Sequence, residues 1–146
     1  MKTSFITIAA LTLAGCATPV GQMPDSDFAW YSFQLGIGYQ AAYRNLREGF
    51  KTCGTAYGIL EGDLYTDIGE GKLTVYVPGA FLPTLHHNIV EGVIRIRGEA
   101  GKASSMLRIG VQHRYDRLFI RKPGDEQRSW AKLARGDFSD CRAAGR

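Results

Sequence analysis

Three arginines in the second half of the chain could form an anion-binding surface. Arg95 and Arg97 are two residues apart in a predicted strand, so their side chains lie on the same face of it. A hairpin centred on Ala100-Gly101 places Arg108 on that face and sets Met106 opposite Arg95. Such a face would bind an anionic polymer, lipopolysaccharide, peptidoglycan or an acidic partner. The alternative is a solvated sheet face on which arginine stems cover apolar area.

Acid–base and nucleophilic chemistry have weaker signals. Glu61 and Asp63 are two residues apart and share one face of a predicted strand. A carboxyl group works as a general acid or base near neutral pH when it is desolvated, and an exposed strand face offers no such environment. Ser104-Ser105 lacks the G-x-S-x-G pattern of a nucleophile elbow. The sequence therefore predicts no enzyme.

Metal and cofactor sites are not predicted either. His86-His87 is the obvious metal candidate, but adjacent residues in a strand point to opposite faces and rarely ligate one ion unless the loop bends. Gly36 and Gly38 precede a predicted helix and lack the rest of the dinucleotide-binding fingerprint. We interpret these glycines as a close-packing site or an irregular helix start.

The first sixteen residues carry a targeting signal. Lys2 supplies a positive charge, and Phe5 to Leu13 form an apolar run far shorter than the roughly twenty residues that span a bilayer. Leu13-Ala14-Gly15-Cys16 then matches, at all four positions, the lipobox of the bacterial lipoprotein signal, which this segment resembles. The resemblance implies cleavage after Gly15 and acylation of Cys16. The alternative is an ordinary secretory signal followed by a chance cysteine.

The same resemblance implies a place in the cell envelope. A lipoprotein cysteine carries a diacylglyceryl group and usually a third chain, and several chains are needed for stable anchoring. Ala17, rather than aspartate, follows the acylated cysteine, which in Gram-negative lipoproteins favours the outer membrane, facing the periplasm. Pro19, Gly21 and Pro24 lie among small polar residues and predict a flexible tether over residues 16–27.

Length and net charge limit what the rest of the chain can be. Removing residues 1–15 from the 146 leaves 146 − 15 = 131, enough for the single globular domain that we place at residues 28–146. Of 18 basic residues only Lys2 is lost, so 17 basic residues face 14 acidic ones, a net charge of +3. This mild excess fits a protein near anionic lipid or polymer, and the predicted compartment disfavours nucleic acid as a partner.

Two cysteines remain if Cys16 is acylated. Cys53 and Cys141 form an even pair in a compartment where disulfides persist, so we predict that they are bonded. The alternative is two unpaired thiols.

The main helix is predicted over 28–50, most convincingly from Ser32. Apolar side chains recur there at steps of three and four, and Cys53 continues the stripe. The aromatic residues at its start either meet the membrane interface or a partner, or pin the chain to its own core: Phe28, Trp30, Tyr31 and Phe33.

Alternating patterns predict four strands, over 57–65, 73–77, 90–97 and 104–113, with 114–121 as an extension or a fifth strand. A turn over residues 68–71 would set Leu64 near Val75. Asp125 is a fair N-cap for a short C-terminal helix, which Gly136 ends at the C′ position.

This element order predicts an α+β fold of two layers: an N-terminal helix, an antiparallel meander of four to five strands and a short C-terminal helix. A β-sandwich is the alternative. A long helix ending in cysteine, then the meander, then Trp130, Gly136 and Cys141 resembles a group of small proteobacterial lipoproteins of unknown function. We expect a binding or envelope-structural module. The alternative is a small-ligand binder or envelope hydrolase, which a deep pocket with convergent polar groups would favour over a flat arginine-lined sheet.

Overall fold

The computed structural model describes residues 23–53, 59–77, 89–113 and 124–143. Within these ranges five strands form one antiparallel sheet in the order β1-β5-β4-β3-β2. The chain order is β1 (Phe28–Leu35), α1 (Tyr39–Cys53), β2 (Ile59–Tyr65), β3 (Glu70–Val77), β4 (Ile89–Arg97), β5 (Ser105–Gln112) and α2 (Asp125–Ala134), with short 3-10 helices at Asp25–Asp27 and Ser139–Ala143. The fold is α+β, as predicted.

The expected N-terminal helix is wrong over residues 28–38, nearly half of the predicted range 28–50. Phe28–Leu35 is a strand that pairs along its whole length with β5, and the helix begins only at Tyr39. Gly36 and Gly38 separate the two elements because glycine weakens a helix interior. Aromatic residues favour strands, and pairing with β5 satisfies the backbone hydrogen bonds of this segment.

The inner face of the sheet is apolar and is covered by both helices. Alternate residues of β3, β4 and β5 point to this face and are almost fully buried, which the side-chain period of two requires. α1 contributes its apolar stripe, in which Leu46 is fully buried. The residues of this core include Leu35, Tyr39, Ala42, Leu46, Phe50, Leu73, Val75, Ile94, Ile96, Leu107, Ile109, Val111, Trp130 and Leu133.

The C-terminal helix α2 packs directly against α1. Gly49 allows this approach, since a side chain there would press on Leu133 and Phe138. Asn45 of α1 donates a hydrogen bond of 3.1 Å to the carbonyl oxygen of Ala134 at the end of α2. Gly136 follows with φ of 84°, which confirms the predicted glycine stop.

The disulfide between Cys53 and Cys141 is present, as predicted. It joins the last residue of α1 to the short 3-10 helix after α2, with 4.9 Å between the Cα atoms and a sequence separation of 88. α1 is therefore covalently linked to the segment that follows α2.

The predicted strand registers are wrong, although the predicted faces hold. Arg95 lies opposite Arg108, two residues further along β5 than expected. In the first hairpin Leu64 lies opposite Gly71 rather than Val75. Both shifts are even, so every side chain keeps its face.

Several predictions fall outside the described residues. These are the signal and lipid-attachment site at Cys16, most of the tether, His86-His87, and the fifth strand over 114–121. The described end of the tether is ordered, since residues 25–27 form a 3-10 helix. None of the helices in the described ranges is long and apolar enough to cross a membrane.

Candidate anion-binding site

The three predicted arginines meet on the outer face of the sheet, away from the helices. Arg95 and Arg97 come from β4 and Arg108 from the neighbouring β5, in positions that the period of two assigns to one face. Together with Met106 they line a small cavity of about 20 Å³. That volume holds roughly one water-sized group. The structure thus brings together the three arginines that the sequence proposed, around a space of about one water.

Arg95 and Arg108 lie directly opposite each other, which would be unfavourable without compensation. Like charges across a strand pair repel, and Lys72 of β3 lies opposite Arg95 on its other side. Three cations therefore form a row across three adjacent strands. Such a row needs anions or aromatic faces nearby, and the N-terminal segment supplies both.

Trp30 of β1 provides the aromatic face. Its ring lies 4.8 Å from the guanidinium carbon of Arg95 and 4.8 Å from that of Arg108. Both distances are well inside the ~6 Å range of cation–π attraction. Gly110 of β5 makes room, because a Cβ atom there would lie 2.9 Å from two atoms of the Trp30 ring. Glycine inside a strand here reflects a close approach by an aromatic ring.

Asp25 provides the anion. Its two carboxylate oxygens accept hydrogen bonds from Arg95, one of 2.7 Å from Nη2 and one of 3.0 Å from Nη1. The indole Nε1 of Trp30 donates a 3.0 Å hydrogen bond to the backbone oxygen of Asp25. The bidentate geometry is the preferred fit between a planar guanidinium and a carboxylate.

Hydrogen bonds and surrounding positive charges lower the pKa of the Asp25 carboxyl group. The hydrogen bonds from Arg95 hold the pKa of Asp25 below its usual value near 3.8, and the charges of Arg95, Arg108 and Lys72 act in the same direction. Desolvation opposes this shift only in part. Asp25 is therefore ionised at neutral pH and neutralises one cation of the row.

Arg97 is the most loosely held of the three arginines. Its side chain is 67% exposed, against 24% for Arg95. Its partner is Glu70 of β3, at 3.5 Å. Glu70 is only 19% exposed, but the contact is long and the Arg97 side chain lies mostly in solvent, where ion pairs are weak. Of the three arginines, Arg97 therefore reorients most easily toward an incoming anion.

The other candidate residues in the described ranges form no site of their own. Glu61 and Asp63 are exposed on the outer face of β2, where Asp63 lies opposite Lys72 at the end of the cation row. The hydroxyl group of Ser105 is buried and donates a 2.8 Å hydrogen bond to the carbonyl oxygen of Ile37, a structural role. Among the described residues, no three His, Cys, Asp or Glu side chains are grouped to hold a metal ion.

A second, larger cleft lies between α1 and the start of β2. It has a volume of about 740 Å³ and is broadly open to solvent. Its lining combines apolar and charged side chains from both elements: Tyr43, Arg44, Asn45, Arg47, Glu48, Phe50, Lys51, Ile59 and Leu60. The volume falls in the usual range for small-molecule sites, but the cleft lacks their enclosure.

Of the aromatic residues at the start of the domain, Phe33 packs against the core and so pins the chain to it, as one of the two predictions has it. Phe28 is buried against Trp30, with 5.8 Å between the ring centroids. Trp30 belongs to the arginine site, and contact of these residues with a membrane or partner stays a prediction. Sequence reasoning missed the parts played by Asp25 and Trp30, although Gly110 within an alternating strand was a usable signal of close approach.

Comparison with known proteins adds no identification. No protein-family model, curated protein or solved structure matches the chain.

Proposed function

We propose that this protein is a lipid-tethered binding module of the bacterial cell envelope. In this proposal acylated Cys16 holds it at the outer membrane, facing the periplasm. The outer face of its sheet binds an anionic envelope polymer or partner through Arg95, Arg97 and Arg108, and the protein is not an enzyme.

The observation that carries the binding proposal is the bidentate contact between Arg95 and the Asp25 carboxylate, beside a small cavity lined by the three arginines and Met106. A planar guanidinium group is suited to carboxylate or phosphate oxygens. Arg95 already holds a carboxylate bidentately, so the site is chemically competent for this task.

The envelope location rests on the lipobox at residues 13–16 and on the cysteine usage. The disulfide between Cys53 and Cys141 is of the kind that persists in oxidising compartments. The direct test is fractionation of cells that express a Cys16→Ala variant. The proposal expects the variant in the soluble periplasmic fraction, and continued membrane association would contradict lipid anchoring.

The binding proposal is tested with the double variant Arg97→Glu and Arg108→Glu. This pair keeps Arg95 and Asp25 themselves unchanged. We expect retention on purified sacculi or lipopolysaccharide, whichever retains the wild type, to be abolished.

The matched control reverses two exposed arginines elsewhere, Arg128→Glu in α2 with Arg135→Glu just after it. It makes the same change in net charge on a different surface, and we expect it to keep most of the retention. Equal loss in both double variants would mean that retention follows net charge and not the arginine site.

A small-ligand binder is the second candidate function, and the cleft between α1 and β2 favours it. Its volume of about 740 Å³ suits a small molecule. Tyr43 forms one wall and is fixed by a 2.9 Å hydrogen bond from its hydroxyl group to the carbonyl oxygen of Gly62. Screening small anions for thermal stabilisation tests this candidate, with Arg47→Ala as the variant that should remove any stabilisation found.

A further inference from the structure

The N-terminal turn occupies part of the arginine site. Asp25–Asp27 forms a 3-10 helix of three residues, none of them buried. From this exposed turn the Asp25 carboxylate reaches Arg95 on β4, 70 residues away in the sequence. A carboxylate that is not part of the sheet therefore satisfies the central cation of the site.

We propose that Asp25 is a built-in competitor, and that the ligand of this site is a peptide-borne carboxylate that replaces Asp25 on Arg95. This inference rests on the proposed function, because it names the ligand class and the regulation of the same arginine site. Peptide-borne carboxylates occur in the stem peptides of peptidoglycan and in acidic protein segments.

The geometry favours a carboxylate as the ligand. Both oxygens of Asp25 are engaged by the two terminal nitrogens of Arg95, at 2.7 and 3.0 Å. Trp30 lies beside this contact and fixes the Arg95 guanidinium in place. With the turn in place the adjoining cavity of about 20 Å³ leaves room for a single oxygen-sized group. The site is thus already shaped around a flat, two-oxygen anion.

The turn is held by contacts that can be exchanged. The Asp25 side chain is 53% exposed, and exposed ion pairs are weak. Beyond Arg95, the segment is held by the indole hydrogen bond to the Asp25 backbone and by a 3.1 Å contact between Met23 and Gln112. Leaving the site would expose no buried residue of the turn. A ligand carboxylate therefore replaces one ion pair with an equivalent one.

An intramolecular competitor raises the local carboxylate concentration that a ligand must supply in order to bind. A group tethered close to its site acts at an effective concentration on the order of millimolar. A single free carboxylate at lower concentration does not displace it. A polymer or peptide that presents many carboxylates, and also engages Arg97 and Arg108, does. The arrangement thus selects dense anionic partners over free acids.

The test compares the purified full-length protein with Asp25→Asn and with the matched control Asp27→Asn, all in detergent. Asparagine keeps the size of the side chain and removes its charge. Asp27 is exposed in the same turn, so its variant makes the same charge change away from Arg95. The probes are purified sacculi and poly-L-glutamate as two sources of carboxylate, and lipopolysaccharide as a source of phosphate.

Removing the competitor should tighten binding to a carboxylate probe by about fivefold, because the competent fraction of sites rises. Asp27→Asn should bind as the wild type does. Tightening on sacculi alone assigns the ligand to peptidoglycan, and tightening on poly-L-glutamate alone assigns it to acidic protein segments. Unchanged or weaker binding by Asp25→Asn, or tightening on lipopolysaccharide alone, would overturn the inference.

The failure of this inference is separable from that of the proposed function. If Arg97→Glu with Arg108→Glu abolishes binding while Asp25→Asn leaves it unchanged, the arginine site stands and the competitor does not. If the double arginine substitution has no effect in the Asp25→Asn background, the arginine site itself is wrong.

Discussion

Replacing Gly110 with valine should disrupt the arginine site without changing any charge. A Cβ atom at Gly110 would lie 2.9 Å from Cζ3 and Cη2 of Trp30, whereas carbon atoms in contact prefer about 3.5–4.0 Å. The two methyl groups of valine make the overlap worse. The indole ring must therefore move off the sheet, away from the positions 4.8 Å from Arg95 and Arg108.

The expected loss of stability follows from the contacts of Trp30. Two cation–π contacts contribute about 0.5–1 kcal/mol each, and the hydrogen bond from Nε1 to Asp25 contributes about 0.5–1.5 kcal/mol. Valine favours a strand over glycine by up to about 1 kcal/mol, which opposes these losses. The net expectation is a destabilisation of about 1–2 kcal/mol.

Urea unfolding followed by circular dichroism measures this change, and the indole resonance of Trp30 reports the displacement directly. Gly36→Val is the matched control, since a Cβ atom at Gly36 meets no atom within 4 Å. A Gly110→Val protein as stable as the wild type, with an unshifted Trp30 resonance, would refute the placement of Trp30 on Gly110.

Three further predictions concern the scaffold and the response to pH. The double variant Cys53→Ser with Cys141→Ser should be clearly less stable than the wild type, by up to about 4–5 kcal/mol, the chain-entropy limit for a loop closed across a sequence separation of 88. A melting temperature equal to that of the wild type would contradict this. Gly136→Ala should destabilise the protein by about 1 kcal/mol because φ there is 84°, and thermal unfolding beside Gly36→Ala provides the comparison. Hydrogen bonds from Arg95 lower the pKa of Asp25, and the charges of Arg108 and Lys72 lower it further. The stabilising contact with Arg95 is therefore fully present above the unfolded pKa near 3.8, and it is lost as the pH falls through the lower folded pKa. A pH titration of the Trp30 resonance should show a transition below pH 3.8 that Asp25→Asn removes, and a transition that persists in that variant would count against the assignment.

The sequence predicted the parts of the fold that depend on local pattern. The alternation in β2 to β5 placed each side chain on the right face, and Gly136 ended α2 where expected. Cysteine usage predicted the bond between Cys53 and Cys141. These features each rest on period, turn chemistry or counting.

Features that depend on long-range pairing were predicted wrongly or not at all. Residues 28–35 suit either a helix or a strand locally, and pairing with β5 decides for the strand. Even register shifts preserve the faces, so the hydrophobic pattern could not detect them. As a result the sequence placed Arg95 and Arg108 on one face but did not reveal that they lie opposite each other.

The sequence predicted the three cations of the candidate site but missed the residues that hold them in place. Arg95, Arg97 and Arg108 followed from strand alternation alone. Asp25 lies in a segment predicted to be a flexible tether, and its contact with Arg95 spans 70 residues. No local rule relates such a pair, so only the folded arrangement shows that the site carries its own anion.

The most direct measurement of the central claim uses the two tryptophans. The chain contains only Trp30, beside the arginines, and Trp130, which is fully buried in the core. Their indole N–H resonances can be followed while soluble peptidoglycan fragments are added to the protein in detergent. The account predicts that the Trp30 resonance shifts with saturation, that the Trp130 resonance stays in place, and that Arg97→Glu with Arg108→Glu removes the shift. Saturable binding that leaves the Trp30 resonance unmoved would contradict it.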